Sequence, residues 1–242
     1  MKRLANYSQY FLRSPEFIKE LIGHSNLKPV DIVYDIGAGS GAITAVLANR
    51  VKKVFAVEVE PRAAEKLREN MYRYPNVKVV EADFLEMPMP SGAYKIFANI
   101  PFHLSSPILR KITEVTNPPV ATYLIVQKQF GQKLLPDADH FTGQLGILIG
   151  PTFAARIRRP LKRTDFMPAP AVDTVLLELL KRPEPLIPLK EMPAWREFVT
   201  GCFSDPKIFV KTPREAVGLR ADIKPSQMKL AHWIALYKAY TA

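Results

Sequence analysis

The chain has 242 residues, 48% of them hydrophobic, and its 34 Lys and Arg exceed its 23 Asp and Glu by a formal net charge of +11. This length is sufficient for one α/β domain and a small second unit. The sequence lacks a run of about 18 apolar residues, and the segment Met1 to Phe11 lacks a signal-peptide core, so we expect a cytoplasmic protein without a membrane span. A single cysteine and four histidines argue against an internal disulfide and a metal site.

The excess of positive charge indicates a polyanionic partner such as a nucleic acid, although a generally basic surface would give the same composition. Residues 183–242 contain nine Lys and Arg against six Asp and Glu, so about +3 lies there and about +8 in residues 1–182. The densest cluster has no acid within it and predicts contacts with phosphates, the alternative being a solvated strand end. This basic cluster comprises Arg156, Arg158, Arg159, Lys162 and Arg163.

Apolar, β-branched segments alternate with helical patterns through the first two thirds of the chain, which is typical of a parallel sheet covered by helices. The predicted strands are 32–36, 54–59, 77–81, 94–99, 122–127, 152–158 and 174–181, and the predicted helices between them are 42–50, 61–72 and 107–115. The last two strands are candidates for an antiparallel edge. A proline-rich linker after residue 181 precedes helical patterns at 195–203 and 226–240, whose aromatic residues we interpret as core.

The first strand runs into Gly37-Ala38-Gly39-Ser40-Gly41, where side chains would obstruct the approach of a ligand. Many nucleotide-binding enzymes use such a turn, so the acids that follow carry more information. Glu58 ends the second strand and can accept hydrogen bonds from ribose hydroxyls, or alternatively cap the next helix. Asp83 ends the third strand and can accept from an adenine amino group. With Asp35, these residues are predicted to line one crevice suited to adenosine.

The segment Asn99-Ile100-Pro101-Phe102 follows the fourth strand and is more specific. The Asn99 side-chain carbonyl and the Ile100 backbone carbonyl can accept the two hydrogens of an adenine N6 amine, with Pro101 fixing the backbone. Phe102 offers a ring on which a flipped base can stack. Phe166, on a proline-rich loop after the basic cluster, is a candidate second wall of the base pocket or, alternatively, a hydrophobic plug.

Taken together, these motifs resemble the rRNA adenine N6-methyltransferase superfamily, which contains the macrolide-resistance Erm enzymes and the KsgA-type small-subunit dimethyltransferases. The N-terminal segment Ser8-Gln9-Tyr10-Phe11-Leu12 is similar to the family's Ser-Gln-Asn-Phe-Leu element, with Tyr10 in place of Asn. The resemblance implies S-adenosylmethionine as cofactor. The cofactor-binding residues that it implies are Gln9, Phe11, Gly37, Ala38, Gly39, Gly41, Glu58, Val59, Asp83, Phe84 and Asn99.

The proline-rich linker divides the chain into two predicted domains, and the resemblance implies their roles and the substrate. Residues 1–182 would form a Rossmann-like catalytic domain and residues 183–242 a small helical RNA-binding domain, in a protein expected to be monomeric. Asn-Ile-Pro-Phe is more similar to Erm enzymes than to KsgA-type enzymes, which implies methylation of 23S rather than 16S rRNA and resistance to macrolides, lincosamides and streptogramin B. The alternatives are a KsgA-type 16S rRNA dimethyltransferase and a non-catalytic RNA-binding assembly factor.

Overall fold

The computed structural model of the protein describes residues 10–137 and 141–241. The strands are β1 Phe11–Leu12, β2 Ile32–Ile36, β3 Lys53–Glu58, β4 Val77–Glu81, β5 Lys95–Asn99, β6 Ala121–Gln127, β7 Phe153–Leu161, β8 Phe166–Met167 and β9 Thr174–Lys181. The α-helices are α1 Pro15–Gly23, α2 Ala42–Ala48, α3 Pro61–Met71, α4 Ser105–Glu114, α5 Lys128–Lys133, α6 Gln144–Ile149, α7 Met192–Ser204, α8 Pro206–Val210 and α9 Leu230–Thr241. Among the residues described, none of these helices has the length and apolar character needed to cross a membrane.

Seven of the strands form one sheet in the order β4-β3-β2-β5-β6-β9-β7. The pairs β4–β3, β3–β2, β2–β5 and β5–β6 are parallel. Strand order reverses between β2 and β5, so the connections leaving these two strands diverge to opposite sides and open a crevice at their carboxyl ends. The expected α/β fold is confirmed, and β9 and β7 are neighbours at one edge as predicted.

The central strands are apolar on both faces because helices cover the sheet on both sides. In β5, Ile96, Phe97 and Ala98 are fully buried, and in β6 the same holds for Tyr123 and Leu124. Strands buried on both faces appear in a sequence as continuous apolar runs instead of alternating patterns. This is why their positions could be predicted to within one or two residues.

Helix α1 was not predicted, although the sequence carries a signal for it. The Ser14 hydroxyl accepts from the Phe17 backbone N–H at 3.1 Å, and Pro15 occupies the first turn. A serine N-cap followed by proline is a favourable helix start because both residues accommodate the unpaired N–H groups of the first turn. The helix buries Ile18 and Leu21.

The chain separates into two compact units, one containing the residues up to 128 together with 157–179 and the other containing 129–156 with 180–242. This grouping differs from the expected division after residue 182. In the second unit Ile147 and Leu148, from α6, belong to the same buried cluster as Trp195 and Trp233. An apolar helix of six residues has too little periodicity to reveal its packing partner in the sequence.

The aromatic residues of the helical segments form the core of this second unit. The Phe198 ring lies 5.6 Å from that of Tyr237 and 6.1 Å from that of Trp233, centroid to centroid. Trp195 meets Tyr237 edge to face at 5.5 Å. Such arrangements are favoured by the charge distribution of aromatic rings. The interpretation of these residues as core is therefore correct.

Candidate active site

A cavity of about 330 Å³ lies at the carboxyl ends of β2, β3 and β5. Twelve of the residues predicted from the sequence line it: Phe11, Gly37, Ala38, Gly39, Glu58, Val59, Asp83, Phe84, Asn99, Ile100, Pro101 and Phe102. Gly41 and Phe166 are predicted site residues that are not in the lining. Gln9 lies outside the described residues. The crevice predicted from the spacing of the motifs is thus present at the point where strand order reverses.

Backbone conformation and close packing both require glycine at two positions of the turn. Gly39 has φ +55°, and a Cβ built on it would lie 3.3 Å from the Phe11 ring. Gly41 has φ +96°, and a Cβ there would lie 2.7 Å from a methyl of Leu67. The absence of a side chain at Gly41 therefore lets α3 pack against the turn. The absence of one at Gly39 leaves the cavity side of the turn open.

Glu58 binds a backbone N–H group of the glycine turn, a structural role that the sequence did not reveal. Its buried carboxylate accepts from the Gly39 backbone N–H at 2.8 Å and from the N–H groups of Val59 and Glu60, both at 3.0 Å. A carboxylate offers about four acceptor positions, so room for a ligand hydroxyl remains. The helix-capping alternative for Glu58 is wrong, because Glu60 accepts from the Ala63 N–H and caps α3.

Asp35 also lines the cavity, as predicted, and its buried carboxylate accepts from the Thr44 hydroxyl at 2.6 Å. Burial, aided by the nearby Glu58 carboxylate, raises the pKa of Asp35 to about 7, although the Thr44 hydrogen bond acts to lower it. Burial disfavours a carboxylate because the charge loses its hydration. The carboxyl group of Asp35 therefore titrates near neutral pH.

Asp83 and Phe84 lie on the loop that follows β4. The Asp83 carboxylate accepts from the Leu85 backbone N–H at 2.8 Å, which orients it within an exposed part of the cavity lining. The ammonium group of Lys111, on α4, donates to the backbone carbonyls of Leu85 and Met87 at 2.6 and 2.7 Å. It also lies 5.7 Å from the centroid of the Phe84 ring. Sequence reasoning missed Lys111 because its partners are carbonyl oxygens more than twenty positions away.

Asn99 ends β5 with a fixed side-chain orientation. Its amide nitrogen donates to the Tyr10 backbone carbonyl at 2.6 Å. Because an amide has one donor end and one acceptor end, this bond leaves the oxygen of Asn99 as the acceptor. The Tyr10 ring stacks on the Phe102 ring with centroids 5.5 Å apart and an angle of 28°. An amide acceptor and an aromatic face therefore lie in the same cavity.

Phe166 lies in the core and takes no part in the cavity. It is fully buried in β8, which pairs antiparallel with β1 so that Leu12 faces Phe166 and Phe11 faces Met167. The Arg13 guanidinium donates to the Phe166 carbonyl at 3.0 Å. The expectation of a second wall for the base pocket is corrected in favour of the hydrophobic plug, because the short sheet turns this ring inward.

Acidic side chains from other parts of the chain lie next to the basic cluster in the fold. Arg158 lies 4.0 Å from Glu178, and Arg159 pairs with Glu20. Arg163 pairs with Asp173 at 3.1 Å. Acids distant in sequence thus pair with three of the cations, so repulsion within the cluster does not by itself require a polyanion. Contact of the cluster with phosphates stays a prediction.

Among α/β enzymes, this sheet with its glycine turn, strand-end acids, acceptor amide and aromatic face defines a methyltransferase of the Rossmann-like class. The chain belongs to the ribosomal RNA adenine dimethylase family, which it matches over residues 2–212. Both the predicted family resemblance and the predicted fold class are confirmed.

Individual relatives agree with this assignment. The chain is 30% identical to an rRNA adenine N-6-methyltransferase of Saccharopolyspora erythraea over 82% of its own length, but spans only about half (51%) of that protein. It is 29% identical to ribosomal RNA small subunit methyltransferase A of Thermotoga neapolitana, covering 96% of this chain and 89% of that one. The crystal structure of the 23S rRNA methyltransferase ErmE superposes with a TM-score of 0.82 at 26% identity, covering 96% of this chain and all of that one.

Proposed function

We propose that this protein transfers a methyl group from S-adenosylmethionine to N6 of an adenine in 23S rRNA, and that the modification confers resistance to macrolides, lincosamides and streptogramin B. The observation that carries the proposal is the Asn99 amide, whose nitrogen is bound to Tyr10 at 2.6 Å so that its oxygen is the acceptor, in one cavity with the Phe102 ring. A methyl on N6 removes a hydrogen-bond donor and adds bulk where the drug would dock.

The cavity suits the proposed cofactor. Gly39 leaves space that a Cβ would fill, and the Glu58 carboxylate beside it retains acceptor capacity for one ribose hydroxyl. Asp83, held by the Leu85 N–H, would accept from an adenine amino group. The apolar surface for the purine ring comes from Val59 and Phe84. Bound there, S-adenosylmethionine would supply a methyl group on a positively charged sulfonium.

The residues of the chain would act mainly on the adenine. Its amine is a weak nucleophile because the nitrogen lone pair is delocalised into the ring. Acceptance of the two amine hydrogens by the Asn99 Oδ1 and the Ile100 carbonyl would favour a pyramidal nitrogen, with the lone pair turned toward the methyl. Stacking on Phe102 contributes about 1 to 3 kcal/mol and offsets part of the cost of extracting the base from its helix.

No general base is required before transfer. A reaction between a neutral amine and a sulfonium disperses positive charge, so an apolar cavity that excludes water favours it. Ile100, Pro101 and Phe102 supply such surface. After transfer, the methylated nitrogen would release one proton to water.

The likeness to ErmE along the whole of that chain and the Asn-Ile-Pro-Phe motif support 23S rRNA as substrate. A second candidate is a 16S rRNA dimethyltransferase, because the small-subunit enzyme of T. neapolitana aligns with 96% of this chain. A non-catalytic assembly factor would not need the Glu58 network that supports the glycine turn, so we do not favour it.

The test is incubation of the purified protein with labelled S-adenosylmethionine and, in separate reactions, unmodified large-subunit and small-subunit rRNA. Mass spectrometry of nuclease fragments then locates the label. We expect a methylated adenine in 23S rRNA only. Label in two adjacent adenines of 16S rRNA would support the second candidate, and no label with intact cofactor binding would support the assembly factor.

A further inference from the structure

Tyr10 and Phe102 form an aromatic pair inside the cavity. The two rings stack with centroids 5.5 Å apart, and both are half-buried cavity-lining residues. A base held between two rings needs a separation of roughly 7 Å, twice the contact distance between carbon atoms. In this arrangement no base fits between them, so the Tyr10 ring covers the Phe102 face that it contacts.

The backbone of Tyr10 is held in place by contacts that do not involve its side chain. Its carbonyl accepts from Asn99 at 2.6 Å, and the next two residues, Phe11 and Leu12, pair with β8. Rotation about the Cα–Cβ bond moves an aromatic ring without disturbing the backbone, since side chains occupy discrete staggered rotamers. The ring can therefore leave Phe102 while the Asn99 hydrogen bond remains.

We propose that the Tyr10 side chain is a gate that occupies the stacking face of Phe102 and must swing away before the target adenine can take its place. This inference rests on the proposed function, because it assigns Phe102 to the substrate base. Tyr10 would be a specificity-determining residue: only a base that stacks better than the tyrosine ring displaces it. The gate would also keep water out of the cavity until RNA arrives.

If Tyr10 is a gate, base binding must break the stack between Tyr10 and Phe102, and removal of the Tyr10 ring abolishes that free-energy cost. An aromatic pair contributes about 0.5 to 1.5 kcal/mol, which corresponds to about twofold to tenfold in affinity. Tyr10→Ala should therefore tighten binding of a short single-stranded oligoadenylate by that factor. An oligonucleotide of the same length with abasic positions makes only backbone contacts, so its affinity should not change.

The experiment measures the dissociation constants of both oligonucleotides by fluorescence anisotropy. Tyr10→Phe should behave like the wild type, since the gate needs only a ring. In a Phe102→Ala background, Tyr10→Ala should have no effect, because the face for which the two rings compete is gone. Tyr72→Ala is the matched control, as Tyr72 is 72% exposed and outside the cavity lining.

Weaker binding of oligoadenylate to Tyr10→Ala would overturn the gate and make Tyr10 a second wall of the base pocket. An equal change for both oligonucleotides would also overturn it, since it would reflect a structural effect. Methylation of rRNA is measured separately. Methylation without the predicted shifts would overturn the gate alone, whereas the shifts without any methylation would overturn the proposed function alone.

Discussion

The ammonium group of Lys111 lies 2.6 Å from the carbonyl oxygen of Leu85. Lys111 belongs to α4, which follows the Asn99–Phe102 segment, and Leu85 belongs to the loop that presents Asp83 and Phe84. One side chain thus connects the helix that follows the proposed catalytic segment with the loop proposed to read the adenine of the cofactor.

Lys111→Met should raise the KM for S-adenosylmethionine by roughly tenfold and leave kcat within about twofold. The variant retains the apolar stem but loses two charged hydrogen bonds, each contributing about 1.5 to 3 kcal/mol. Steady-state kinetics separate the two parameters, and Lys111→Arg should restore most of the affinity. Arg110→Met on the same helix is the control, because Arg110 forms an exposed pair with Glu114 and lies outside the cavity lining. A matching fall in kcat would contradict a role limited to the cofactor loop.

Glu58→Ala should weaken S-adenosylmethionine binding by roughly tenfold or more and lower the melting temperature. The variant loses a ligand acceptor and leaves the Gly39, Val59 and Glu60 N–H groups without the carboxylate. Calorimetric titration measures the affinity, and Glu65→Ala, an exposed acid on α3, is the control. RNA affinity should change little, and unchanged donor affinity would remove Glu58 from the site.

Phe102→Tyr should keep most of the activity, because stacking requires the ring alone, whereas Phe102→Ala should lose about tenfold or more. Asn99→Ala should cost more, roughly a hundredfold in kcat, through loss of an acceptor for the amine hydrogens. Single-turnover methylation of rRNA measures these changes, with donor binding expected to remain intact. Normal turnover by Phe102→Ala would exclude a stacking role.

The raised pKa of Asp35 predicts a dependence of stability on pH. In the folded protein this carboxyl retains its proton up to about pH 7, well above its ordinary value near 3.8. Its contribution to stability is therefore full below about pH 4 and is lost as pH rises through 7. The melting temperature of the wild type should therefore fall relative to that of Asp35→Asn as the pH increases from about 5 to 8.

Thr44→Val provides an independent check on the same group. The Thr44 hydroxyl donates to the Asp35 carboxylate and stabilises its ionised form, so removal of the hydroxyl should move the transition to higher pH. A transition at unchanged pH would mean that another group titrates. The melting curves of both variants can be recorded in the same buffers.

The pairing of the basic cluster shifts the expected RNA contacts toward the second unit. Residues 129–156 and 180–242 contain 13 Lys and Arg against 8 Asp and Glu, a net +5, and Lys207 and Lys211 are exposed. Lys207→Ala/Lys211→Ala should lower the slope of log affinity against log salt by roughly 0.7 to 0.9 for each phosphate that is no longer neutralised. Arg158→Ala/Arg159→Ala should change it less. The reverse ranking would return the RNA site to the basic cluster.

The sequence predicted the sheet and most of the cavity because both depend on local patterns. Apolar β-branched strands end at the glycine turn, at Glu58, at Asp83 and at Asn99, and parallel strands bring their carboxyl ends together. The hydrogen bonds that these residues form with one another could not be predicted from the sequence. That Glu58 binds the turn, or that the Asn99 amide is oriented by Tyr10, depends on contacts between segments 19 and 89 positions apart.

The errors have the same physical origin. The position of Phe166 before prolines on a loop favours the base pocket over a hydrophobic plug, but pairing of β8 with β1 places its ring in the core. The basic cluster was judged by its neighbours in sequence, whereas Glu20 and Glu178 reach it from other elements. Side-chain partners from distant segments leave no periodic signal.

The discontinuous second unit has a consequence for recombination between relatives. Ile147 and Leu148 share a core with Trp195 and Trp233, so α6 packs against residues of the C-terminal helices. A single crossover near residue 182 would combine an α6 from one parent with a tryptophan core from another. Natural or engineered exchange of C-terminal regions in this family should therefore succeed most often with two crossovers that transfer both segments together.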